Sequence, residues 1–282
     1  MMTAKTEGNP VFPRLHGLRE GARKDRQPFM LNMEVRTMKR WSVLFLTMFV
    51  LCAGLATTAQ AKIEVEGDVY AGIWDKYMWR GFNLSDSRPT IQAGLDLTIG
   101  GGWTLSTWHN WQLTSGPNWK SGELNETDVI LTYAFDLGDM VSMSVGDIWY
   151  MIEGEDTNEL FVHTTLNTLL SPTLKIWWDW DAAEEDGLYY TVDISHTFDL
   201  GQWMPNTALN LGALVAYNQH SDYAVGDYGG FHNYELSASI DYALTDQLTI
   251  SPIAIFSSGI SSAAKASIDT ETAFALNLTF VF

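Results

Sequence analysis

A period of two over residues 269–282 constrains this chain more than any other feature. In the run Asp-Thr-Glu-Thr-Ala-Phe-Ala-Leu-Asn-Leu-Thr-Phe-Val-Phe, Phe274, Leu276, Leu278, Phe280 and Phe282 alternate with Ala273, Ala275, Asn277 and Thr279, Val281 being the exception. Successive side chains of a strand point to opposite faces, so the pattern describes a strand whose two faces meet different surroundings. An apolar, aromatic-ended face backed by a small and polar one suits a membrane β-barrel, with lipid outside and a wet lumen inside. An edge strand of a soluble β-sandwich would carry the same pattern, and the rest of the chain has to separate the two.

The N-terminal region reads as an address. Met38-Lys39-Arg40, the charge-free apolar run Trp41–Ala56 and then Ala59-Gln60-Ala61 before Lys62 follow the order of a secretory signal peptide. That run is shorter than the roughly 20 apolar residues a spanning helix needs. The expected organisation is an extension without a fold of its own over 1–37, a cleaved signal peptide over 38–61, and a barrel over 62–282. Cys52, the chain's one cysteine, lies within the signal behind Leu51, where a lipoprotein signal wants a small residue. The mature chain therefore has no disulfide, although it is exported.

Removing residues 1–61 sharpens the charge. The chain holds 16 basic and 34 acidic residues, of which 9 and 4 fall in that segment, leaving 7 and 30 and a net charge of −23. Such a balance excludes nucleic acid as a partner. Eleven of the 12 tryptophans lie in the mature part, and a barrel uses Trp and Tyr at both membrane interfaces.

Twelve strands are expected, with ten and fourteen as neighbouring counts: Ile63–Asp75, Thr90–Ile99, Trp103–Leu113, Glu126–Leu137, Met140–Ile152, Asn158–Asn167, Thr173–Asp181, Gly187–Phe198, Thr207–Asn218, Phe231–Ala243, Gln247–Ser257 and Thr270–Phe282. Tight turns at Gly100–Gly102, Gly138-Asp139 and Thr245-Asp246 tend to alternate with long polar segments at 76–89, 114–125, 219–230 and 258–269. Short turns on one rim and long loops on the other describe an outer-membrane barrel.

Tyr190 and Phe198, Tyr234 and Tyr242, and Phe274 and Phe282 are each eight residues apart on an apolar face. Eight rises of about 3.3 Å span about 26 Å along a strand. A tilt of about 40° projects this to about 20 Å, near the apolar band of about 25 Å. These six residues are thus expected to form two membrane girdles. A sandwich gives no reason for the recurrence.

Acidic residues inside strands fall on the opposite phase. Glu64, Glu66 and Asp68 oppose Val65, Val69 and Ile73; Asp96, Asp179, Asp193, Glu235 and Asp241 likewise alternate with apolar neighbours. A carboxylate facing lipid is costly, so all eight are expected to face the lumen. There they either bias a pore toward cations or only hydrate the wall and pair with the few basic residues. Inward Trp108 and Trp177 would narrow a lumen of intermediate width. The fifth strand breaks the pattern: Asp147 shares a phase with Met143 and Val145, and a bulge or a strand leaving the membrane is expected there.

One stretch resembles a known family. From Asp75 to Asp96 the chain is similar to the TorF-type porins, whose early S-D-Y-x-F-R-G-I-S-Q-S-D-x-x-P-A-I-Q-G-G-like stretch is matched by Tyr77, Arg80, Gly81, Ser85, Asp86, Pro89, Ile91, Gln92 and Gly94. Asp75-Lys76 replaces Ser-Asp, Trp79 replaces Phe and Asn83-Leu84 replaces Ser-Gln. The resemblance covers about twenty residues and implies a porin-like role in the bacterial outer membrane, without naming a solute. Physically, Arg80 is suited either to bridge loop and lumen carboxylates, with Gly81 permitting a turn, or to snorkel beside Trp79. The closing strand also resembles the C-terminal segments read by the outer-membrane barrel-assembly machinery.

The expected fold is therefore an all-β, antiparallel, up-and-down transmembrane barrel. The expected function is passive diffusion of small solutes through a narrow acidic lumen, with lipid and the assembly machinery as partners and no cofactor. A non-conducting structural or adhesive barrel is the alternative. A barrel hydrolase is a third class, with His109-Asn110 the nearest approach to a catalytic pair among His109, His163, His196, His220 and His232. The acidic run Asp179, Asp181, Glu184, Glu185 and Asp186 reads either as a solvated loop or as oxygen ligands for Ca²⁺.

Overall fold

The molecule is described from a computed structural model, which covers residues 66–152, 156–184 and 186–282. The extension, the signal peptide, Glu64 and Glu185 lie outside the described residues. Twelve strands build the wall: β1 (Glu66–Trp74), β4 (Thr90–Thr98), β5 (Trp103–Gln112), β6 (Leu124–Leu137), β7 (Val141–Ile152), β8 (Thr157–Leu166), β9 (Thr173–Asp179), β10 (Leu188–Asp199), β11 (Thr207–Gln219), β12 (Gly229–Ala243), β13 (Leu248–Gly259) and β14 (Glu271–Val281). Two short strands, β2 (Met78–Trp79) and β3 (Phe82–Asn83), pair only with each other, and one helix, α1 (Ser262–Ser267), lies between β13 and β14.

Each wall strand pairs antiparallel with its neighbours, and β14 returns to β1 to close the barrel. The closing register sets Val69 against Phe280, Ala71 against Leu278 and Ile73 against Leu276, so the two apolar faces coincide. Closure leaves the wall no free edge.

What lies inside is polar. The largest fully buried side chains are His232, Gln112, Glu159, Asn110, Asn218 and Asn233, whereas Ile73, Val192, Leu236, Phe274, Leu276 and Leu278 are exposed. A soluble domain has the opposite arrangement. This inversion removes the sandwich.

The fifth wall strand departs from expectation. β7 pairs with β6 and β8 without any register shift, so it contains no bulge. Asp147 keeps the outward phase of Met143 and Val145, and the Trp180 indole N–H donates to its Oδ1 at 3.2 Å. A hydrogen bond from the neighbouring Trp satisfies one lone pair, so the strand runs straight past the carboxylate. Irregularities fall elsewhere. Between β5 and β6 the register shifts at Asn110/Trp111, and the extra residue Asn125 turns inward to accept from Asn110 Nδ2 at 2.7 Å. Between β11 and β12 it shifts between Val215 and Tyr217, which brings both His232 and Asn233 into the interior. Two consecutive residues can point to one side only across such a bulge.

Candidate functional site

The connection from β1 to β4 does not stay at the rim. Its hairpin β2–β3 crosses the lumen, because the tip residue Arg80 meets β8, β9 and β10, and β9 is the sixth strand from β1 in either direction round the barrel. Trp79 and Phe82 pair across a two-residue turn, Arg80-Gly81, with φ of 48° and 83°. Two positive φ values are what a type I′ hairpin turn requires, and Asn-Gly is its preferred sequence. Gly81 meets this freely. Arg80 does so at a cost of about 1–2 kcal/mol, as for any L-residue with a Cβ.

That cost is offset where the side chain ends. Arg80 Nη1 and Nη2 donate to Glu159 Oε1 and Oε2 at 2.8 and 2.6 Å, a bidentate fork. The guanidinium carbon stands 4.5 Å from the Trp79 ring, 5.6 Å from Trp177 and 4.4 Å from Tyr189. Tyr150 donates a further hydrogen bond to Glu159 Oε2 at 2.9 Å. The side chains of Arg80 and Glu159 are 7% and 1% exposed. Burial alone would lower the Arg80 pKa, but the Glu159 charge, with Tyr150 and Tyr189, more than offsets it and holds the guanidinium charged.

The backbone of the tip is fixed as well. His232 Nε2 lies 2.7 Å from the Arg80 carbonyl, which can only accept, so Nε2 carries the proton and Nδ1 accepts from the Tyr228 hydroxyl. Phe82 stacks on His232, with centroids 5.7 Å apart. Val225 and Ala224, in the loop from β11 to β12, pack with Trp79 and Phe82. A Cβ on Gly81 would lie 2.7 Å from Ile268 Cδ1, the residue that caps α1. Three loops therefore meet in the mouth of the barrel.

At its base the hairpin is tied by Lys76 Nζ to Glu271 Oε2 at 2.7 Å and by Asn83 Nδ2 to Glu271 Oε1 at 3.0 Å. The residues of the motif divide the work. Ser85 Oγ accepts from the Tyr77 amide at 2.8 Å, and Asp86 takes a positive φ of 54° in the returning turn. Pro89 leads into β4, its carbonyl accepting from the Leu113 amide at 3.0 Å. Tyr77 packs 5.3 Å from inward Trp108 and hydrogen-bonds Glu126. Burial, reinforced by Glu126 and Asp128, pushes its hydroxyl well above the ordinary tyrosine range, so it stays a donor.

The acidic residues singled out from the alternation are spread over the inner wall. Asp68 and Asp96 face each other directly in register, and Glu66, beside them, starts β1 on the same phase. Asp193 pairs with Lys175 Nζ at 2.5 Å. Glu235 stands opposite Ser257, and Asp241 accepts from Asn210 Nδ2 and Ser251 Oγ, both at 2.7 Å. Asp179 is buried, accepting from Thr157 Oγ1 at 2.8 Å and from the amides of Asp181 and Ala182. Asp181 instead accepts from Asn158 and Asp186 from Gln219, and among the described residues no group of three acidic, His or Cys side chains is set to hold a metal ion.

Of these, only Asp179 lies beside the hairpin's anchor, being the register partner of Glu159. Glu159, Glu126 and Asp128, the buried carboxylates around the hairpin, escaped the sequence reading. Asn158 precedes Glu159 and Thr127 separates Glu126 from Asp128, so polar residues run together and the alternation loses its contrast. The girdle candidates Phe198, Tyr234, Tyr242, Phe274 and Phe282 are exposed, and half-buried Tyr190 packs on Tyr217 at 6.3 Å. His109 bonds Thr127 at 3.0 Å and packs in a tilted arrangement against Trp111, on the outer phase, whereas Asn110 is buried inside. The catalytic pair that the hydrolase alternative needs is therefore split between two faces.

A family model described as "Bacterial protein of unknown function (Gcw_chp)" matches residues 56–251. No curated protein matches the chain. Among solved structures, a KdgM porin is 13% identical with a TM-score of 0.49, the match covering 78% of this chain and 99% of that one. A NanC porin is 15% identical with a TM-score of 0.49, covering 76% and 98%. An outer membrane channel from Pseudomonas putida F1 is 11% identical with a TM-score of 0.43, covering 80% and 100%.

Proposed function

The chain belongs to the bacterial Gcw_chp family, and on that premise we propose that it is an outer-membrane, porin-like barrel passing small solutes, cations preferentially, through a narrow acidic lumen. The observation that carries this reading is the inverted distribution of side chains, apolar outside and rich in carboxylates within. The inward cations are already committed: Arg80 to Glu159, Lys175 to Asp193 and Lys76 to Glu271. The facing pair Asp68 and Asp96 has no such partner among the ion pairs of the described residues, and its field favours a passing cation. The likeness of residues 75–96 to the TorF-type porins supports the same role. The signal at 38–61, the assembly machinery engaging the C-terminal strand at 270–282 and the two lipid girdles complete the proposed route and location.

A second reading has its own observation. A hairpin pinned wall to wall favours a barrel that does not conduct at rest. Planar-bilayer recording of the purified, heat-modifiable barrel separates the two. Small cation-preferring steps are expected. Anion preference, or no steps from a folded barrel, would remove the channel mechanism.

A further inference from the structure

The groups that hold Arg80 have a chemistry of their own. Glu159 offers two carboxylate oxygens in a plane, Tyr189 and Trp177 offer ring faces, and the Tyr150 hydroxyl fixes the carboxylate from the side. These residues come from four wall strands and are organised without the hairpin. Tyr189 donates to Asn233 Oδ1 at 3.2 Å, and Trp177 packs on His163 at 5.2 Å and on Tyr189 at 5.9 Å. Withdrawal of the tip would therefore leave a formed cage: a carboxylate fork with aromatic walls, the combination that selects a planar, delocalised cation.

The tip owes its conformation to its surroundings rather than to its own residues. Arg80 occupies a turn position that Asn would fill without strain, and His232 and Glu159 hold it there from the wall. A residue kept in an unfavourable conformation by its surroundings points to a functional constraint. From these observations we infer that the cage of Glu159, Tyr150, Trp177 and Tyr189 is a binding site for an organic cation of the guanidinium class, and that Arg80 is the tethered stand-in such a solute displaces. The inference deepens the channel reading and rests on it for the solute's route to the mouth. A tethered competitor acts at an effective concentration of the order of millimolar. The site consequently answers to a solute abundant enough to compete with it.

Methylguanidinium serves as the probe and tryptophan emission as the readout, since Trp177 lines the cage. Arg80→Asn suits the turn while removing the resident cation. Its folded barrel is expected to give a saturable change with methylguanidinium, and the wild type the same change at a half-saturation at least about tenfold higher, because the tip competes. Glu159→Gln in the Arg80→Asn background abolishes it. Tetramethylammonium, which offers Glu159 no N–H, binds at least about tenfold more weakly, as loss of the charge-assisted fork requires. A strictly linear response of the folded Arg80→Asn barrel, or equal binding of the two cations, overturns the assignment. Should Arg80→Asn fail to fold, the wild-type titration decides alone: a saturable change favours the site and a linear one sinks it. Saturable binding in a barrel that shows no steps would remove the channel and leave the cage; steps without saturable binding would do the reverse.

Discussion

Arg80 and Glu159, 79 residues apart in sequence, meet across the lumen through two contacts of 2.8 and 2.6 Å, and this pair fixes the tip of the inner hairpin. Removing one member strands the other. Glu159→Ala leaves a buried guanidinium without its counter-charge, a change that costs about 3–5 kcal/mol in comparable buried pairs. Since the wall strands close on themselves independently, the loss is expected locally. Hydrogen exchange at residues 77–84 should rise by orders of magnitude while the barrel's unfolding midpoint moves little. A shift of the whole barrel with no local opening would contradict this.

Gly81 is the second point of leverage. Its φ of 83° and the 2.7 Å from an added Cβ to Ile268 Cδ1 make Gly81→Ala unfavourable on two counts. The backbone alone contributes about 1–2 kcal/mol. Faster proteolysis of the hairpin and of α1 together is expected, because both sides of the contact are disturbed.

The wall predicts an asymmetry. Leu276 is 50% exposed on the outer face, and Leu276→Arg should cost about 2–4 kcal/mol in a bilayer, as a lipid-facing Arg near the midplane does. Thr279→Arg, on the inner phase of the same strand, should cost far less. Denaturant unfolding from lipid vesicles measures both. Equal costs would speak against lipid on the outer face.

Selectivity should respond unevenly to charge removal. Asp68→Asn with Asp96→Asn neutralises two carboxylates that face each other across the register and is expected to lower the cation-to-anion permeability ratio. Asp193→Asn should lower it more, because it also leaves Lys175, now 2.5 Å from that carboxylate, without its partner. Reversal potentials in asymmetric salt give the ratios. The opposite order would mean that Lys175 does not face the permeation path.

Much of the wall was legible in the residue order. Alternation is set by the geometry of each strand, so Phe274 to Phe282, Tyr234 and Tyr242, and the inward Asp193 and Asp241 could be assigned without knowing their neighbours. The same logic saw that Asp147 shares the phase of Met143 and Val145 but drew from it a bulge or a strand leaving the membrane, because it could not see the Trp180 indole that makes a straight strand tolerable there. Bulges also hide from a period of two, which is why buried His232 and Asn233, consecutive and both inward, gave no signal.

The sequence by itself determined the barrel class, a wall of about twelve strands with ten and fourteen as neighbouring counts, and a turn that Gly81 permits, since each follows from contacts or dihedral preferences within a few residues. Only the tertiary structure decided that this turn enters the lumen and that Glu159, in β8, five strands round the wall from β1, receives it. The reason is physical: a guanidinium will pair with any carboxylate it can reach. The chain supplies many, and closure of the wall alone sets which one stands opposite.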